Sequence, residues 1–293
     1  MRYVFLINSF SIKNDVDKLI DSISKACEEL ELDYKIEVNS PNKSTEKILD
    51  SYKLDNSVII AVGGDGTINR VLNKLVGTKN VLGYIPYGTG NDFYRTNKEL
   101  LEQGINNIDL IRINHRYFIN VACFGIDADI ANNEDIIHSK LIPKSQRYNA
   151  SIVKNFLNYK PRHLTIYADG ERYEGDYTTV ALCNARYYGG GYKIGTNALL
   201  DDGLIDVYMA DKMPKLEMAK LILGMKKGKH ENHPLLKVVK AKKLFINSKE
   251  SITCNIDGDK LSDRCFDVEV IPNGISVYYN QELIDKILND KRR

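Results

Sequence analysis

Residues 58–62, Val-Ile-Ile-Ala-Val, run without a break into Gly63-Gly64-Asp65-Gly66-Thr67, after which Ile68, Val71, Leu72, Leu75 and Val76 recur at helical spacing. A short, continuously apolar run suits a strand covered on both faces, as in the interior of a parallel sheet. A strand that turns through glycines directly into a helix begins a βα unit, and ligands of open α/β sheets collect at the carboxyl ends of such strands. The glycines let backbone N–H groups approach an anion with no Cβ in the way, and the helix N-terminus adds a favourable field. Thr67 is placed to cap that helix. Asp65 would repel phosphates unless a cation intervened, so the pattern predicts a phosphate site with Mg²⁺ held by Asp65, directly or through water.

The strand–helix rhythm extends to both sides. Residues 4–7, 34–38 and 81–85 read as further strands, and Val16, Leu19, Ile20, Ile23, Cys27 and Leu30 form one helical stripe. Residues 1–122 are therefore expected to be a doubly wound α/β nucleotide-binding domain. Beyond them, 108–113 and 117–123 read as a hairpin turned at Asn114-His115, and 146–159 as a helix. From His163 strands dominate, with turn signals at Asp169-Gly170, Asp202-Gly203, Asp257-Gly258 and Asn273-Gly274 and one helix at 215–226. Residues 123–279 are expected to be an antiparallel β-rich sandwich, and 280–293 a terminal helical segment that returns to the first domain.

A second glycine loop, Gly88-Thr89-Gly90-Asn91-Asp92, follows the next strand, so two such loops border one crevice. Neither completes GxGxxG, because Asn69 and Phe93 take the final places, and 224–229 lacks the Ser or Thr of a P-loop. A net charge of +2 over 293 residues points to no nucleic-acid partner. Ten Lys against Glu217 and Glu231 in 212–243, near Leu221, Ile222, Leu223 and Met225, read either as a surface for lipid head groups or as a solvated helix face over core residues. The five Cys have no CxxC spacing and suit a reducing cytosol, and no apolar run is long enough to span a bilayer. The expected location is cytoplasmic, with any membrane contact peripheral at the inner face.

These blocks resemble the diacylglycerol kinase catalytic family, and within it the bacterial lipid-kinase branch, which is similar to sphingosine and ceramide kinases. The resemblance is carried by GGDGT with Asn69 and by 83–93, GYIPYGTGNDF. It continues through FINVACFGIDA at 118–128, NARYYGGG at 184–191, LDDGLID at 200–206 and NIDGD at 255–259. It implies an ATP-dependent lipid kinase with an NAD kinase-like two-domain plan and its active site between the domains. Asn8, Ser11, Gly63, Gly64, Asp65, Gly66, Thr67, Asn69, Gly88, Thr89, Gly90 and Asn91 would contact ATP or its Mg²⁺, and Asp127 and Asp92 would lie toward the acceptor. Asp202, with the carbonyls of Leu199 and Leu204, would hold a second, structural Mg²⁺. The proton acceptor would be Asp259 or Asp257. A homodimer is left open.

Four departures from the family pattern stand out: Ile12 replaces a glycine in the first loop, Arg70 a Glu, Asp259 a Glu and Thr196 a Pro. Ile12, Arg70 and Asp259 would favour a nucleotide-binding regulator without transfer activity. An NAD kinase-type enzyme would share GGDGT, whereas the second loop favours the lipid branch.

Overall fold

The computed structural model describes residues 1–9, 12, 16–40, 42–125 and 160–289. The predicted helix at 146–159, Ser11 and Asp127 lie outside them. The chain forms two compact units, Met1–Leu110 with Pro272–Arg293, and Ile111–Ile271. It passes from the first to the second within strand β5 (Gly104–Ile113) and returns within β15 (Asp259–Tyr279).

Unit 1 alternates strands and helices in the expected way. β1 (Tyr3–Ile7), α1 (Val16–Glu29), β2 (Tyr34–Val38), α2 (Thr45–Ser51), β3 (Val58–Gly63), α3 (Asp65–Leu75), β4 (Val81–Pro86) and α4 (Asp92–Leu100) follow in order. The pairs β2 with β1, β1 with β3, β3 with β4, and β4 with the end of β15 are parallel. β3 and β4 are buried along their whole length, which is why their sequences lack polar alternation. Strand order therefore reverses between β1 and β3, and the loops leaving these two strands flank the switch point where an open sheet leaves a crevice. The terminal helix α6 (Gln281–Asn289) belongs to this unit and ties to α1 through Lys286 Nζ and Glu29 Oε2 at 2.7 Å.

Unit 2 is antiparallel. Its strands are β6 (Arg116–Phe118), β7 (Val121–Gly125), β8 (Arg162–Ala168), β9 (Glu171–Cys183), β12 (Ile205–Asp211), β13 (Leu236–Ala241) and β14 (Lys243–Ile256), with the first part of β15. The short pair β10 (Tyr187–Tyr188) and β11 (Tyr192–Lys193) stands apart from them. β7 and β8 each pair with both β9 and β14, closing a circuit of four strands around one apolar core that includes Phe124 packed edge-on against Phe266. A second apolar cluster lies where α5 (Lys215–Lys227) contributes Leu221 and Met225.

Three sequence expectations are corrected, and one alternative left open is decided residue by residue. Thr67 is not the cap of α3: Gly64, in extended backbone, is the cap residue, the helix starts at Asp65, and Thr67 is buried in its first turn. A Cβ on Gly63 would stand 2.5 Å from the Thr67 hydroxyl, so glycine is what lets Thr67 tuck in. The strand expected at 117–123 is broken at Ile119 and Asn120, whose amides are drawn away by Asp257. Asp169-Gly170 and Asp257-Gly258 do turn hairpins with positive φ, but Asn273 sits inside β15, its left-handed backbone held by an N–H bond to Asp109 Oδ1 at 3.0 Å. Of the apolar residues suggested for a lipid surface, Leu221 and Met225 are core, while Leu223 is 63% exposed.

Candidate active site

In unit 1 the two glycine loops form one structure. Tyr87 N–H donates to the Gly63 carbonyl at 2.9 Å, which brings the β4 loop onto the β3 loop. Gly88 then lies so close that an added Cβ would stand 2.5 Å from the Gly64 Cα. Asn91 takes a left-handed backbone, its Oδ1 accepting from Gly88 N–H at 3.1 Å while its Nδ2 donates to the Gly88 carbonyl at 2.9 Å. Asn91 starts α4 without giving it a side-chain cap. Asp65 supplies the missing cap from the other loop: its Oδ2 accepts from Asp92 N–H and its Oδ1 from Phe93 N–H, each at 3.0 Å. Each bond from an amide to a carboxylate contributes about 1.5–3 kcal/mol. Gly90 is required as well, since a Cβ there would meet Asp65 Oδ2 at 2.9 Å.

Gly66, Gly88 and Thr89 are exposed along this clasp, whereas Thr67 and Asn69 are buried behind it. Asn69 spends its Oδ1 on Asn73 Nδ2 at 2.8 Å, one helical turn on. Asp92 is buried, and Arg95 Nε lies 3.7 Å from its Oδ1. Asn8, on the neighbouring loop after β1, is set by Asn39, which was not singled out from sequence. Buried Asn39 donates to Asn8 Oδ1 at 3.1 Å and accepts Ser9 N–H at 2.8 Å. It matches the other loop-setting residues only in being an Asn just past a strand's carboxyl end.

Asp65 suits a Mg²⁺ that arrives with nucleotide. Each of its oxygens accepts one N–H and keeps a second lone-pair direction. No cluster of three His, Cys, Asp or Glu that could hold a metal exists among the described residues, and Mg²⁺ commonly relies on one or two carboxylates with phosphates and water.

Two departures are absorbed by packing. Ile12 is 4% exposed and not at positive φ, so it packs as a buried apolar residue without the backbone freedom of a glycine. Arg70 points toward α2, its Nε 3.9 Å from Glu46 Oε1.

In unit 2 the candidates fall at two places. At the β14–β15 turn, Asp257 is 5% exposed and accepts from the amides of Ile119, Asn120 and Val121 at 3.0, 3.2 and 2.9 Å. Asp259 is 65% exposed at its side chain, with Arg116 Nη1 3.8 Å away. At the turn before β12, Asp202 Oδ1 accepts Leu204 N–H at 3.1 Å and Oδ2 meets Lys240 Nζ at 2.7 Å. Leu199 is half-exposed. Burial pushes the carboxyl of nearby Asp206 up, against the pull of Lys240. Asp202 thus already faces an ammonium, whose positive charge competes with any metal ion there.

Residues 2–117 match the diacylglycerol kinase catalytic domain, and residues 120–279 the YegS C-terminal NAD kinase beta sandwich-like domain. A diacylglycerol kinase of Staphylococcus aureus (strain JH9) is 30% identical over 248 residues, 78% of this chain and 78% of that protein. The chain belongs to the diacylglycerol kinase family. A diacylglycerol kinase of Staphylococcus saprophyticus subsp. saprophyticus is 28% identical across 83% of this chain and 87% of its own length. A solved diacylglycerol kinase structure from Bacillus anthracis str. Sterne shares the fold, with a TM-score of 0.71, 20% identity, and coverage of 96% of this chain and 98% of that one. The reaction class of this member is ATP-dependent phosphoryl transfer to an alcohol, and the NAD kinase-type alternative is not favoured. Among the described residues no helix is long and apolar enough to cross a membrane.

The clasp makes a direct prediction. Gly88→Ala pushes the loops apart, costing about 1–3 kcal/mol, and weakens ATP binding at least tenfold by calorimetry. Gly66→Ala, with open space around its Cβ, leaves thermal stability equal or higher.

Proposed function

We propose that this chain transfers the γ-phosphoryl group of ATP to the hydroxyl of a membrane lipid, diacylglycerol, with Mg²⁺ accompanying the nucleotide. The observation that carries the reading is the joining of two glycine loops by Asp65 beside the switch point of a parallel sheet. Phosphoryl transfer asks a protein chiefly for placement and charge neutralisation. Exposed Gly66, Gly88 and Thr89 offer backbone and hydroxyl contacts to the phosphates, and the N-terminus of α3 adds its field. Bound Mg²⁺ would neutralise phosphate charge, and Asp65 is the carboxylate we assign to it.

Asp259 is the better proton acceptor of the two candidates. A general base must reach the hydroxyl it deprotonates, and Asp257 already spends both oxygens on three backbone amides. A carboxylate is too weak to ionise an alcohol beforehand, so Asp259 orients the hydroxyl and takes its proton as transfer proceeds.

A lipid acceptor requires a bilayer approach. Leu216 and Leu223, 68% and 63% exposed, lie two turns apart on the outer face of α5. Lys220 and Lys227 share that face. This fits peripheral contact with anionic lipid.

Transfer of labelled phosphate from ATP to diacylglycerol in vesicles tests the reading. Asp259→Asn lowers kcat by about 10²-fold or more at unchanged Tm, while Asp257→Asn lowers Tm. The reverse pattern would exchange their roles, and wild-type protein that binds ATP without labelling lipid would mark a regulator. Leu216→Glu with Leu223→Glu abolishes sedimentation with anionic vesicles at low salt; retained sedimentation rules out this face.

A further inference from the structure

The turn before β12 and the start of that strand bring together two carboxylates that need a cation. Asp202 and Asp206 both lie within reach of the Lys240 ammonium, at 2.7 and 3.4 Å. Asp206 is 3% exposed, so its charge cannot be left to solvent.

The lysine is fixed there by backbone pairing. β12 and β13 are antiparallel in continuous register from Ile205↔Ala241 to Ala210↔Leu236, which sets Asp206 directly opposite Lys240. Opposed residues have Cβ atoms about 5 Å apart, so the ammonium is delivered to this turn whatever else binds. Asp202 is bent toward it by its own turn, its second oxygen accepting Leu204 N–H at 3.1 Å. What sets Asp202 apart is that its other oxygen already faces a resident ammonium, whose charge opposes the approach of a divalent ion.

We propose that Lys240 is the resident cation of this turn, and that the second unit of this chain folds without the structural divalent ion the family resemblance assigns to Asp202, Leu199 and Leu204. A divalent ion would have to displace an ammonium bridging two carboxylates, one of them buried. The lysine serves the same purpose, holding the turn against the start of β12. The inference does not depend on the kinase reading, because its test is thermal and elemental.

The test uses the full chain without nucleotide. Wild-type protein dialysed against EDTA is expected to keep its Tm within about 1 °C, to retain no stoichiometric metal by elemental analysis, and to show no rise in Tm with Mg²⁺ or Ca²⁺. Lys240→Met is expected to lose about 5–10 °C in EDTA and to regain part of it with millimolar Mg²⁺ or Ca²⁺, because the vacated carboxylates then take a divalent ion. Lys240→Arg, which keeps the charge, is expected to remain metal-independent. A wild-type Tm that falls on chelation and recovers with Mg²⁺ would overturn the proposal, as would a Lys240→Met protein as stable as wild type. Should Lys240→Met fail to fold, Asp202→Asn decides: loss of bound metal in that variant would place an ion at the turn, whereas absence of metal before and after substitution supports the lysine.

Discussion

The carboxylate of Asp65 is the hinge-pin of the first unit's two glycine loops. It leaves α3 at its first position and closes the N-terminus of α4, binding the amides of Asp92 and Phe93. Without it the β4 loop would depend on Asn91 and the Tyr87 amide. Everything exposed along the clasp takes its position from this joint, and so do the glycines. Gly88 and Gly90 are needed for close approach to Gly64 and to Asp65, and neither position has positive φ. An aspartate that looks on sequence like a metal ligand alone is first of all a cap shared between two loops. The two roles are compatible, because a carboxylate that fixes both loops also fixes where its remaining lone pairs point.

The second unit uses the same device. Asp257 gathers the amides of Ile119, Asn120 and Val121, breaking a strand so that β6 can pair with β5 while β7 pairs with β9 and β14. This is the physical reason for proposing Asp259, two residues further on at the start of β15 and exposed, as the group that does chemistry. Asp169 acts likewise, accepting the amides of Lys242 and Lys243 at 2.9 Å each. Asp65, Asp257 and Asp169 thus each do structural work by accepting two or more backbone amides, the last two from Asp-Gly turns.

What the sequence disclosed followed from local physics. Buried runs at 58–62 and 81–85, helical stripes, glycine loops and the 215–226 helix depend on periodicity within a few residues, and the structure has them where expected. Hidden features depended on distant partners. Asp65 meets amides 27 and 28 residues away, Asn39 sets Asn8 across 31, and Lys240 reaches Asp202 across 38. No local pattern marks such pairs. Thr67 misled because its type favours a cap, whereas Gly64 has the backbone for one. Asn273-Gly274 misled because a turn dipeptide can also serve as an irregularity inside a strand.

The central claim is that one carboxylate builds the nucleotide site by joining its two loops. Amide hydrogen exchange at Asp92 and Phe93, followed in wild type and Asp65→Ala with and without ATP and Mg²⁺, tests it most directly. The account predicts that both amides are protected in wild type and further protected by nucleotide. In Asp65→Ala they should exchange at least tenfold faster and gain nothing from ATP, while core amides of β3 stay protected. Equal protection in the two proteins, or unchanged ATP binding in the variant, would contradict it.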